Sequence, residues 1–128
     1  MNTLFSHVCV VTMDDRMSVW TDAFVGVTDG KISYLSKHAP EEKPEQIIDA
    51  TGMVLMPGLI NCHTHLPMQL LRGYADDLKL QEWLNDYIFP REDRLDGRAV
   101  KAAATLAIAE ALRFGTTSVS DMYYFCDE

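Results

Sequence analysis

His63 and His65 stand one residue apart at the end of an apolar run, Leu59-Ile60-Asn61-Cys62. A strand places residues i and i+2 on one face, so both imidazoles point the same way if this segment is extended. Two imidazoles converging from one strand end suit a borderline divalent metal ion. Zinc is the leading candidate, and two nitrogens alone leave iron and nickel open. A bare His-x-His also fits two structural histidines at a polar strand end. By the same alternation Cys62 faces away from the pair and reads as a small buried hydrophobe. Glu92 sits in a charged run, Arg91-Glu92-Asp93-Arg94, which taken alone is a solvated face. Trp83 alone reads as a core or interface aromatic. His7 has no partner in sequence and His38 falls in a charged, proline-bearing segment, so both read as structural or surface residues.

The elements that must position the histidines divide at Pro57-Gly58. Before it, residues 7–12 and Val19–Val27 read as strands, and Thr28-Asp29-Gly30 leads into Lys31-Ile32-Ser33-Tyr34-Leu35. Asp-Gly between alternating segments predicts a hairpin, because a primed turn needs positive φ at both central residues. Residues 38–46 form a solvated loop. Ile47–Ala50 and Met53–Met56 then predict two short strands turned at Thr51-Gly52, giving a meander-like β unit over residues 1–56. After Pro57, Gly58–Cys62 is apolar without alternation, as in a strand buried on both faces. Residues 66–79 read as a long loop, and Leu80–Phe89 as a helix stopped by Pro90. Asp96 is placed to cap a helix over about Arg98–Phe114. Val100, Ala103, Ala104, Ala107, Ile108, Ala111 and Leu112 give that helix an apolar stripe. Gly115 closes it, and Thr116–Ser120 begins another strand. The order strand, helices, strand is one βα unit and the opening of the next.

Composition narrows the function classes. The 128 residues are 48% hydrophobic, enough for a modest core, and 19 acidic against 11 basic side chains give a net charge of −8. That balance disfavours nucleic acid and anionic membrane surfaces as partners. No apolar run reaches the length of a transmembrane helix, and the N-terminus lacks the basic and apolar regions of a signal peptide. Cys9, Cys62 and Cys126 are odd in number and far apart, which points to a reducing cytoplasm rather than a disulfide framework.

Taken together, Met56-Pro57-Gly58-Leu59-Ile60-Asn61-Cys62-His63-Thr64-His65 resembles the opening signature of the amidohydrolase superfamily. The resemblance continues through Leu70-Leu71-Arg72-Gly73-Tyr74-Ala75-Asp76-Asp77-Leu78, Glu82-Trp83-Leu84 and Pro90-Arg91-Glu92-Asp93-Arg94-Leu95. It ends in Phe114-Gly115-Thr116-Thr117 and Asp121-Met122-Tyr123. This succession is similar to the S-adenosylhomocysteine and methylthioadenosine deaminases, and Asn61 matches the deaminase and chlorohydrolase branch rather than the cyclic-amide hydrolases. The fold it implies is α/β, the N-terminal part of a metal-dependent (β/α)8 hydrolase. Residues 1–56 would form a partial β-sandwich domain, and residues 57–128 the first βα unit of a TIM barrel.

The resemblance further implies that His63 and His65 are metal ligands, that Glu92 holds ribose hydroxyls, and that Trp83 lines the same pocket. A carboxylate can accept from two vicinal hydroxyls, and an indole offers an apolar wall. The implied cofactor is one divalent ion, zinc first. The implied reaction is deamination of an adenosine-type nucleoside or purine-like amine by metal-activated water. Another aminohydrolase or chlorohydrolase of the branch, such as a guanine deaminase, is the alternative substrate reading, and a non-catalytic binding module the alternative class. No histidine follows His65, and an eight-stranded barrel needs about 250 residues. The proton-transfer residues and remaining ligands are therefore expected beyond residue 128, and the 128-residue chain alone is expected to be inactive. Open strand edges leave homo-oligomer formation as an option.

Overall fold

The structure is a computed structural model and describes residues 1–125. Contacts divide the chain into two units, Met1–Pro57 and a second beginning at Gly58.

In the first unit β1 (Thr3–Val11) is the central strand, flanked by β2 (Val19–Thr28) and then β3 (Lys31–Ser36), both antiparallel. The β2–β3 turn has φ 50° at Asp29 and 74° at Gly30, the two positive values that its sequence demands. On the other side of β1, β4 (Gln46–Asp49) and β5 (Val54–Leu55) both run parallel to it. The expected meander therefore holds only for the first three strands. Residues 37–45 carry the chain back across the unit, and parallel pairing follows from that return. β1 also starts earlier than residue 7, because Thr3–Ser6 pair with β4 although they carry little strand signal of their own.

Alternate residues of β1 face inward. Val8 and Val10 pack with Ala23, Val25 and Ala50, and Phe5, Trp20 and Leu55 close over them. Burying a valine of this kind contributes about 1.5–3 kcal/mol. His7 interrupts β1 at a bulge with φ 58°, and its Nδ1 lies 3.0 Å from Asp22 Oδ1, so it has a structural partner after all. His38 is exposed, and its carbonyl accepts the Tyr34 hydroxyl at 2.9 Å.

In the second unit β6 (Leu59–Thr64) pairs parallel with β7 (Thr116–Asp121), and everything between them is helical or turn. The predicted loop after His65 opens as a 3₁₀ helix, Leu66–Leu71, with Pro67 in its first turn. Proline suits that position because the N–H it lacks has no partner there. α1 (Leu80–Glu82), a π turn (Trp83–Ile88) and α2 (Phe89–Glu92) follow one another without a break. Pro90 does not stop the helix as expected. The i→i+5 spacing of the preceding turn widens the coil where the proline ring would otherwise strike a carbonyl.

α3 (Gly97–Arg113) starts at Asp96, whose Oδ1 accepts from Ala99 N at 2.8 Å, and Gly115 follows it at φ 87°. Val100, Ala103 and Ala107 are buried, whereas Ile108 and Leu112 of the same stripe stay exposed. β6 also departs from expectation. Leu59, Ile60 and Cys62 are exposed rather than buried on both faces. Among the described residues β7 is the only strand paired to β6, so neighbours that would cover it are not supplied by this sheet. Cys9 is half-buried, and Cys126 lies outside the described residues. No helix among the described residues is long and apolar enough to cross a membrane.

Candidate metal centre and substrate cleft

β6 delivers His63 and His65 to its C-terminal end, where parallel strands leave their loops. The two Nε2 atoms lie 3.2 Å apart and the rings meet edge to face, with centroids 5.1 Å apart. Two zinc–nitrogen bonds at a tetrahedral angle span about 3.3–3.4 Å, so the pair matches the bite that one ion requires. His65 Nδ1 lies 2.8 Å from the Met122 carbonyl oxygen. A carbonyl can only accept, so Nδ1 carries the proton and a neutral His65 presents its lone pair at Nε2. That is the tautomer a metal ligand needs, held by a backbone acceptor as metal-binding histidines commonly are. Asn61 Oδ1 accepts from His63 N at 3.2 Å and braces the strand just before the pair. No cluster of three His, Cys, Asp or Glu side chains suited to a metal occurs among the described residues.

On one side of His65 opens a cleft of about 400 Å³, lined by Trp83, Ile88, Phe89, Glu92, Met122 and Tyr123 among others. Trp83 and Glu92 come from opposite ends of the π-containing helical stretch. The π turn brings both to the cleft, and Ile88 between them is buried as its floor. The Tyr123 hydroxyl donates to Glu92 Oε1 at 2.7 Å. Burial first, and the carboxylate next to it second, push the Tyr123 phenol well above its usual pKa of about 10, so it remains a donor at neutral pH.

Three of the four residues singled out in the sequence, His65, Trp83 and Glu92, thus line one cleft, and His63 stands against His65. His63 also borders a second cavity of about 430 Å³, where Glu110 of α3 accepts from Gln69 and from Arg72 Nη1, the latter at 3.0 Å. Sequence reasoning assigned no role to Tyr123. The signal available was its place just past the C-terminal end of a strand in a parallel pair, where functional groups gather.

A family model described as the amidohydrolase family matches residues 54–127. The chain belongs to that family. A 5'-deoxyadenosine deaminase from Methanosarcina mazei is 44% identical over 125 residues, covering 98% of this chain and 29% of the relative. A 5-methylthioadenosine/S-adenosylhomocysteine deaminase from Thermoanaerobacter pseudethanolicus is 38% identical over 128 residues, covering 100% and 30%. Among solved structures, an adenosine deaminase from Xanthomonas campestris with bound zinc superimposes with a TM-score of 0.88 at 38% identity, covering 98% of this chain and 30% of that one. The chain therefore spans less than a third of the length of the curated relatives it matches.

Proposed function

We propose that this chain forms part of a metal-dependent aminohydrolase that deaminates 5′-substituted adenosine nucleosides. S-adenosylhomocysteine, methylthioadenosine and 5′-deoxyadenosine are the candidate substrates. The observation that carries the reading is the convergence of His63 and His65 Nε2 at 3.2 Å beside a cleft that holds Trp83 and Glu92. Residues 1–56 are read as part of a small β-sandwich domain. Residues 57–128 are read as the start of a (β/α)8 barrel, supported by the parallel β6–β7 pair and its helical crossover.

His63 and His65 would hold one divalent ion, and the zinc in the Xanthomonas campestris enzyme favours zinc. When bound, such an ion is a Lewis acid that makes water nucleophilic near neutral pH. Met122 keeps the His65 lone pair on Nε2. Glu92, with Oε1 engaged by Tyr123, offers its other oxygen to ribose hydroxyls. Trp83 and Ile88 present apolar walls to the nucleoside and exclude water from its face. The overall reaction exchanges the exocyclic amine of the purine for oxygen and releases ammonia. Cys9 and Cys62 are free thiols, in keeping with a cytoplasmic address.

The test is metal content and ammonia release in the intact protein. Near-stoichiometric zinc that is lost in His65→Ala, together with deamination of adenosine-type nucleosides, is the expected result. A folded protein without metal, or one equally active without His65, overturns the reading.

A further inference from the structure

Asp121, the last residue of β7, grips the chain on both sides of His65. Its Oδ1 accepts from Thr64 Oγ1 at 2.7 Å and from Leu66 N at 2.8 Å. The Thr64 hydroxyl also lies 3.0 Å from the Ser120 carbonyl, and Met122 N donates to the Thr64 carbonyl at 3.2 Å. Leu66 N belongs to the first turn of the 3₁₀ helix, where no helical carbonyl can reach it, and His65, the N-cap, supplies no side-chain cap. One carboxylate oxygen therefore satisfies that orphan N–H and pins the residue before the histidine as well. The chain is thus held on both sides of residue 65, whose Nδ1 reaches Met122 O.

We infer that Asp121 is a positioning residue for the metal centre, acting through Thr64 and Leu66 to hold His65 in its metal-ready orientation and tautomer. The inference rests on the reading of His63 and His65 as metal ligands. A bond from a carboxylate is stronger than one from a neutral acceptor, and here two such bonds bracket one residue. The strand–strand ladder does not do this work: β6–β7 pairing is irregular between Asn61 and Thr64, so the side-chain bonds replace regular register where the ligands lie. Losing an outer partner of a ligating histidine typically weakens metal binding about 10–100-fold.

The experiment uses the intact protein and zinc alone, with affinity from chelator competition and fold from thermal melting. Asp121→Ala is expected to bind zinc about 10–100-fold more weakly than wild type. Asp121→Asn keeps the accepting oxygen and is expected to stay within about threefold. A folded Asp121→Ala protein with wild-type zinc affinity overturns the inference, and so does Asp121→Asn falling as far as Asp121→Ala. Should Asp121→Ala not fold, Thr64→Val stands in, with an expected loss of about threefold to tenfold for one hydrogen bond; unchanged affinity there overturns the inference. If wild type binds no zinc, the metal reading fails by itself. The positioning role is then read from imidazole NMR of the metal-free protein. His65 is expected to keep its Nδ1-protonated tautomer in wild type and Asp121→Asn and to become mixed in Asp121→Ala; an unchanged tautomer overturns the inference.

Discussion

The hydroxyl of Tyr123 donates to Oε1 of Glu92 at 2.7 Å, joining the residue just beyond β7 to the end of α2 across the mouth of the cleft. The bond fixes which carboxylate oxygen is occupied and leaves the other for a ligand. Glu92→Gln should raise KM for a ribose-bearing substrate about 10–100-fold, because hydrogen bonds to a charged group contribute about 1.5–3 kcal/mol. Tyr123→Phe removes the donor that orients Glu92, so about 3–10-fold is expected, with kcat little changed. Steady-state kinetics on the nucleoside and on its free base check both. Equal losses on the free base would detach Glu92 from ribose.

The same tyrosine gives a pH prediction. Its folded-state pKa is raised, chiefly by burial, so the folded state holds the proton more tightly than the unfolded chain. The stabilisation is therefore complete below the ordinary phenol value of about 10 and is lost as pH rises beyond it. Tyr123→Phe should leave the phenolate absorbance change near pH 10 unchanged in amplitude, since Tyr123 does not ionise there. A fall by one tyrosine's share would show the phenol to be unshifted.

Glu110 clasps the 3₁₀ helix to α3 through Arg72 and Gln69. The Arg72 guanidinium holds the Glu110 carboxyl below the usual carboxylate range, and the Gln69 amide adds to this. A lowered pKa means stability that is present above the unfolded value and lost as pH falls through the folded one. Glu110→Gln should therefore melt below wild type at pH 7, and the gap should close as pH drops below about 4. A gap that does not narrow at all as pH falls below the ordinary carboxylate range would assign the effect to packing instead of charge. The pair is exposed, so the difference in melting temperature is expected to be small.

Gly58 carries a constraint of another kind. A Cβ there would lie 2.7 Å from Thr117 Cβ, and closer still to its Oγ1 and Cγ2. Gly58→Ala should destabilise the β6–β7 pair by about 1–3 kcal/mol, the usual cost of overpacking. Adding Thr117→Gly should recover part of this loss. Denaturant midpoints of the single and double variants check it. Additive losses would mean that the two residues do not meet.

What could be read from the chain, and what could not, divides by range. The Asp29-Gly30 turn, the Asp96 cap and the closing Gly115 are local, because φ preference and side-chain reach act within a few residues. The convergence of His63 and His65 follows from strand alternation and was legible for the same reason. Parallel pairing of β4 and β5 with β1 depends on how residues 37–45 return, which no periodicity encodes. Pro90 read as a stop because its rule assumes an α-helix, and the π turn before it changes the premise. Trp83 and Glu92 were legible only through family resemblance, since each alone looks like packing or solvated charge. Tyr123 and Asp121 act across 31 residues and 57 residues of chain respectively, and their partners become visible only once β7 lies beside β6.

A catalytic zinc takes three protein ligands and keeps a fourth position open for water. His63 and His65 supply two nitrogens, and no cluster of three suitable side chains exists among the described residues. Two donors at the correct bite can capture an ion transiently but cannot fix its remaining geometry, and β6 meanwhile stays exposed along most of its length. Purified 128-residue chain with added zinc should therefore release ammonia from S-adenosylhomocysteine or methylthioadenosine no faster than buffer does. Its zinc should wash out on gel filtration. Turnover that disappears in His63→Ala would overturn this expectation.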